Sequence, residues 1–188
     1  MPGGAVAAGP PGWFGKLAML GDFAHRRLPE PVLRQLDRWL SATMQALPQA
    51  LGERWPQAYL EAPLLRFAWA PGVVDAQWWF GVLMPSCDKV GRYFPLVVLQ
   101  AGEGEGAAMP EDWYAALERA ALGTLERGAS LAAFEATVAA APPWPGACLA
   151  PQERQEGRTR WWSARMADPC DVGGLPDVHQ AVRLLLKF

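Results

Sequence analysis

The sequence predicts a single α+β domain, a mostly antiparallel sheet with helices packed on it. Two apolar runs, Trp78–Met84 and residues 93–99, flank a short polar link, and so short a link joins antiparallel neighbours. Helical spacing of apolar residues appears before, after and beyond these runs. A length of 188 residues, with 51% apolar and 19% charged side chains, suits one globular core that needs no disulfide or metal to fold.

Residues 1–11 are rich in Gly, Ala and Pro and read as a flexible tail, with residues 12–188 forming the domain. Residues 13–28 read as irregular. Leu33, Leu36, Leu40, Met44 and Leu47 then recur at spacings of three and four, which predicts a helix with Pro31 in its first turn and Pro48 at its end. A short helix is expected over residues 56–60. Leu65, Phe67 and Trp69 alternate with Leu64, Arg66 and Ala68, a strand period, closed by Pro71-Gly72. Trp78–Met84 lacks alternation and reads as a central strand covered on both faces. Pro95 inside residues 93–99 suggests an edge position or a bulge. Residues 103–108 form a loop.

Pro110, Glu111 and Asp112 open a helix whose acidic first turn complements the helix dipole, with Trp113, Leu117, Ala121 and Leu125 as its apolar stripe and Gly128 as its stop. Ser130 is placed to cap a further helix through Ala141 with Leu131, Phe134 and Val138 on one face. Pro142, Pro143 and Pro145 break the chain. A strand is expected over residues 158–166 around Trp161 and Trp162, and a last helix over residues 177–187.

Composition excludes several functions. Net charge is −2 with no basic stripe, which argues against nucleic-acid binding. No apolar run is long enough to insert in a membrane, and the first basic residue is Lys16, unlike a signal peptide; a cytoplasmic location is expected. Cys87, Cys148 and Cys170 form no CxxC pair and read as buried thiols. His25 and His179 have no metal-ligand partner at useful spacing, so neither a metal nor a cofactor is expected. Gly12-Trp13-Phe14-Gly15-Lys16 looks like the end of a phosphate-binding loop, but Pro10 and Leu17 stand where that loop needs Gly and a hydroxyl. Ser86 lacks the Gly-x-Ser-x-Gly frame of a nucleophile elbow.

Residues 81–96, with Ser86, Asp88, Lys89 and Arg92 between two apolar strands, form the most unusual stretch. Together with Gly12 through Leu17, Gly21-Asp22-Phe23 and Arg26-Arg27-Leu28-Pro29, it resembles the TagF/ImpM family. Arg38-Trp39-Leu40, Leu51-Gly52, Trp55, Tyr59-Leu60, Ala62-Pro63 and Arg66-Phe67 resemble the blocks between. The matches are ordered and span residues 12–96; beyond residue 100 they thin to Trp161-Trp162 and the terminal helix. Ala18, Met19 and Cys87 depart from the family pattern. The resemblance implies a three-layer αβα fold and a non-enzymatic accessory of the type VI secretion system. It implies a post-translational repressor that binds other components, notably a forkhead-associated scaffold protein.

The chemistry of the two polar turns has two readings. Asp22 and Asp88 organise their own loops by accepting backbone N–H bonds and pairing with Arg26 and Arg92. Alternatively these groups, with Ser86, face outward and dock a partner, with Trp13 and Phe14 as aromatic anchors. In either case the two loops are expected to lie close together. Competing classes are an enzyme with a site around Asp22, Asp88 and Arg92, which requires ionisable groups converging in a cleft, and a small-ligand sensor with a tryptophan-lined pocket.

Overall fold

The computed structural model describes residues 9–103, 109–145, 156–164, 166 and 168–186. Seven strands form one sheet: β1 (Gly12–Gly15), β2 (Ala24–Arg26), β3 (Leu65–Trp69), β4 (Trp78–Met84), β5 (Leu96–Gly102), β6 (Arg158–Trp162) and β7 (Cys170–Gly173). Their order is β2-β1-β5-β4-β3-β6-β7, and every neighbouring pair is antiparallel. β4 is the central strand and pairs with β5 from Trp78↔Gly102 to Met84↔Leu96, as the two apolar runs predict.

The register splits the apolar side chains of β4 between two cores. Phe80, Val82 and Met84 face α3 (Glu111–Gly123) and α4 (Leu131–Ala139), where they meet Trp113, Leu117 and Phe134. Trp79 and Leu83 face the opposite layer, built from α1 (Glu30–Leu51) and α5 (Val178–Leu186), where Leu36, Leu40 and Leu184 close over Phe67, Trp69 and Trp161. The short α2 (Trp55–Glu61) adds Tyr59 beside Leu47 of α1. Helices thus cover both faces, giving the expected αβα layers in one domain. All ten tryptophans are buried or half-buried, because a sheet covered on both faces offers two interiors to fill.

Local expectations fail where pairing overrides pattern. The region read as irregular supplies β1 and β2; Trp13 and Phe14 are too few to show a period, and their strand exists because it pairs with β5. Gly15 has φ 136°, and a Cβ there would strike the Pro95 carbonyl, so glycine permits this approach. Pro95 precedes β5 rather than lying inside it, since it has no N–H for the ladder, and β5 is interior rather than an edge.

Pro48 lies within α1; the helix runs on to Leu51, where the Gly52 N–H bonds to the Pro48 carbonyl. A proline forfeits one backbone bond, and so close to the helix end this loss does not stop the chain. α3 ends at Gly123, before Leu125, which is exposed rather than part of the buried stripe; Gly128, with φ 82°, serves the turn into α4. Ser130 caps α4 as expected, its Oγ accepting the Ala133 N–H at 3.2 Å. β6 stops at Trp162, and β7 adds a short edge strand that the sequence pattern did not mark.

The tail boundary moves as well. Pro11 is buried and its carbonyl accepts Arg27 Nε at 2.9 Å, while the Gly9 carbonyl accepts Gln100 Nε2 at 2.8 Å. Residues 1–8, Cys148 and most of the expected loop over 103–108 lie outside the described residues. Cys87 and Cys170 are free, half-buried thiols.

Candidate functional site

The β1–β2 connection (residues 16–23) and the β4–β5 connection (residues 85–95) leave the same end of the sheet, because Gly15 pairs with Leu96. Four bonds bind one to the other. The Lys89 N–H donates to the Leu20 carbonyl at 2.9 Å. Ser86 Oγ donates to the Lys16 carbonyl at 2.8 Å. Arg92 Nη2 donates to the Gly21 carbonyl at 2.6 Å, and Lys16 Nζ meets Asp88 Oδ2 at 3.0 Å.

Asp88 is the centre. Its Oδ1 accepts the Val90 N–H at 3.1 Å and the Arg92 N–H at 2.9 Å, and its Oδ2 also accepts Arg92 Nε at 2.6 Å. Burial works against its charge, yet the bonds from the Arg92 N–H, Lys16, the Arg92 guanidinium and the Val90 N–H outweigh it and hold the carboxyl well below the usual carboxylate range. The turn itself is closed by the Gly91 N–H on the Asp88 carbonyl at 2.9 Å, with Gly91 at φ 83° as its chemistry requires.

Ser86 is held from beneath. The Tyr59 hydroxyl donates to the Ser86 carbonyl at 3.0 Å and accepts the Ser86 N–H at 2.9 Å, tying α2 to the loop. Burial keeps that phenol well above its usual pKa and so neutral. Lys16, only 6% exposed, also sits 4.8 Å from the Phe23 ring centre, and Phe23 packs edge-on to Phe94 at 4.7 Å. The apparent phosphate-loop lysine therefore faces a carboxylate and a phenyl ring.

The structure separates the residues singled out in the sequence. Ser86, Asp88 and Arg92 come together in one loop. Asp22 stays outside: it is exposed, and its Oδ1 accepts the N–H of Phe23 at 2.8 Å. Arg26 does not pair with Asp22; it lies 3.7 Å from Glu135 on α4. Glu135 also takes Arg27 Nη1 at 2.6 Å and the Trp13 indole N–H. That carboxyl pins α4 to the hairpin; burial raises its pKa, but Arg27 and Trp13 outweigh this and leave it lowered. Trp13 and Phe14 are not exposed anchors: both are buried core residues, since β1 is covered on both faces. Sequence reasoning missed Lys16, Tyr59 and Glu135 as organisers, because their partners lie tens of residues away. It also missed Phe23 on the β1–β2 loop, 47% exposed, and Val90 at the tip of the β4–β5 loop, 67% exposed, as apolar groups at the surface of this site.

Both oxygens of Asp88 are engaged by groups of the fold itself. Concavities elsewhere among the described residues include an apolar cavity of about 30 Å³ between α1, α5 and the sheet, and an open groove of about 520 Å³ beside α2 and α3. Asp22, Asp88 and Arg92 line neither. Trp39 and Trp161 line the first. No group of His, Cys, Asp and Glu suited to a metal ion occurs among the described residues, and no helix there is long and apolar enough to cross a membrane.

Architecture defines the class: a three-layer αβα domain on a seven-stranded antiparallel sheet, with two cross-bonded loops at one end. The chain belongs to the TagF N-terminal domain family, which is type VI secretion system-associated and matches residues 12–141. The crystal structure of PA0076 from Pseudomonas aeruginosa PAO1 is similar to it, with a TM-score of 0.81 and 34% identity over 95% of this chain and 94% of that one. No curated protein matches this sequence.

Proposed function

We propose that this protein is a cytoplasmic, non-enzymatic repressor of type VI secretion that acts after translation by binding components of the apparatus. A forkhead-associated scaffold protein is its expected partner. One observation carries the reading: Lys16, Asp88 and Arg92 of the two motif loops satisfy one another, and the surface they leave combines apolar side chains with charged Asp22, Lys89 and Arg92. Phe23 and Val90 project beside exposed Lys89 and Arg92, on loops that cross-bonds hold rigid. Aromatic and Arg side chains on a fixed frame suit protein recognition, because little conformational entropy remains to be lost on binding. Family membership supports the secretion role.

The test separates surface from frame. Phe23→Ala with Val90→Asp should fold normally yet fail to capture the scaffold protein from secreting cells and fail to repress secretion. Asp88→Ala should lose both by loosening the loops, with a lowered melting temperature. A Phe23/Val90 variant that captures and represses like the wild type refutes the assignment.

A further inference from the structure

We propose that the groove between α2 and α3 is a second docking surface, independent of the motif loops, and that its occupant is a basic amphipathic helix of a partner protein. The groove encloses about 520 Å³. Leu60, at 54% exposure, forms one wall; Leu122 and Leu125, each at 51%, form the other. These are three of the five large apolar side chains left exposed among the described residues. Their exposure follows from local structure. On α2, Tyr59 turns inward to Ser86, which sends Leu60 out. After α3 a turn closed by the Thr124 and Leu125 N–H groups carries Leu125 away from the sheet. A concavity that groups exposed leucines in this way has the character of an interaction site.

Charge complementarity selects the partner's sign. Glu61 and Glu118 line the groove, and no basic residue does so among the described residues. Glu61 bonds to neutral Gln57 at 2.8 Å and forms no ion pair among the described residues. Glu118 pairs with Arg66, but Arg66 also binds Glu111, which leaves that cluster with one carboxylate more than its guanidinium balances.

Sheet topology selects the partner's conformation. The groove floor includes Met84 at the end of β4, and both β4 and β3 are paired on each side. No free sheet edge is offered there, so an extended segment would find no backbone partners. A helix satisfies its own N–H and C=O groups and presents apolar side chains at i, i+3, i+4 and i+7.

The experiment uses the full chain and a labelled model helix with Leu at those positions and Lys opposite, read by fluorescence anisotropy. A sequence-scrambled peptide and a Glu-for-Lys peptide serve as comparisons. The Lys peptide should bind; both comparison peptides should bind at least about tenfold more weakly. Leu122→Asp with Leu125→Asp should abolish binding, and Leu60→Asp on the opposite wall should do the same without touching α3. Glu61→Lys should weaken the Lys peptide and strengthen the Glu peptide. Phe23→Ala should leave all of this unchanged, which separates the groove from the loop site. Equal binding of the scrambled peptide, indifference to the leucine variants, or no binding overturns the proposal. Sedimentation showing a dimer that Leu125→Asp dissociates would overturn it too, by making a second copy of the chain the occupant.

Discussion

Lys16→Met tests the frame of the motif loops. Methionine keeps an unbranched side chain of similar size and removes the ammonium that bonds to Asp88 and faces the Phe23 ring. The Lys16–Asp88 contact at 3.0 Å is a buried, charge-assisted bond, a kind that contributes about 1.5–3 kcal/mol. Two effects set the position within that range. Asp88 keeps its bonds from the Val90 N–H, the Arg92 N–H and the Arg92 guanidinium, so its charge is not stranded. Removing the ammonium also relieves its own desolvation. The lower end follows, about 1.5 kcal/mol, and for a chain of 188 residues that is a drop of roughly 3–6 °C in melting temperature. Calorimetry measures it. Amide exchange at Lys89, whose N–H bonds to the Leu20 carbonyl, should speed up because one of four ties between the loops is gone. Adding Arg92→Met should cost more than the two single losses together, since Asp88 then has no cation at all. A single variant within about 1 °C of the wild type, with unchanged exchange at Lys89, refutes the idea that this pair holds the loops.

Other consequences are as direct. Asp88, Glu111, Glu135 and Asp171 all have carboxyls held below their usual pKa, so each stabilises the fold fully above its unfolded value, near about 4, and loses that contribution as pH falls through the native one. The melting temperature should therefore fall on acidification from about pH 5, and less steeply in Asp88→Asn. Arg66→Ala leaves half-buried Glu118 unpaired and should cost about 2–4 kcal/mol in urea unfolding, whereas Glu111→Ala, at an exposed carboxylate, should cost under about 1 kcal/mol. Gly81→Ala puts a Cβ against the Val98 carbonyl and within 2.8 Å of the Phe67 ring, so it should destabilise by about 1–3 kcal/mol; a stable variant would show that β4 and its neighbours can part.

The sequence by itself determined those elements whose signal is local and long. The period of α1 from Leu33 to Leu47, the alternation of β3, the Ser130 cap and the β4–β5 pair were all legible, because 3.6- and 2-residue periods are written by one face meeting a core. The family likeness also named Ser86, Asp88 and Arg92. Tertiary structure alone decided what those residues touch. β1 is a strand because β5 and β2 pair with it on either side, and Leu125 left the buried stripe because α3 ended at Gly123. Asp22 and Asp88 are the same residue type in similar polar turns, yet one is exposed with a local bond and the other is the buried centre of two loops. The difference is Lys16, 72 residues away in the chain and 3.0 Å away in space. Hydrogen bonds and ion pairs act over a few ångströms, and sequence separation does not encode which distant groups the sheet will bring that close.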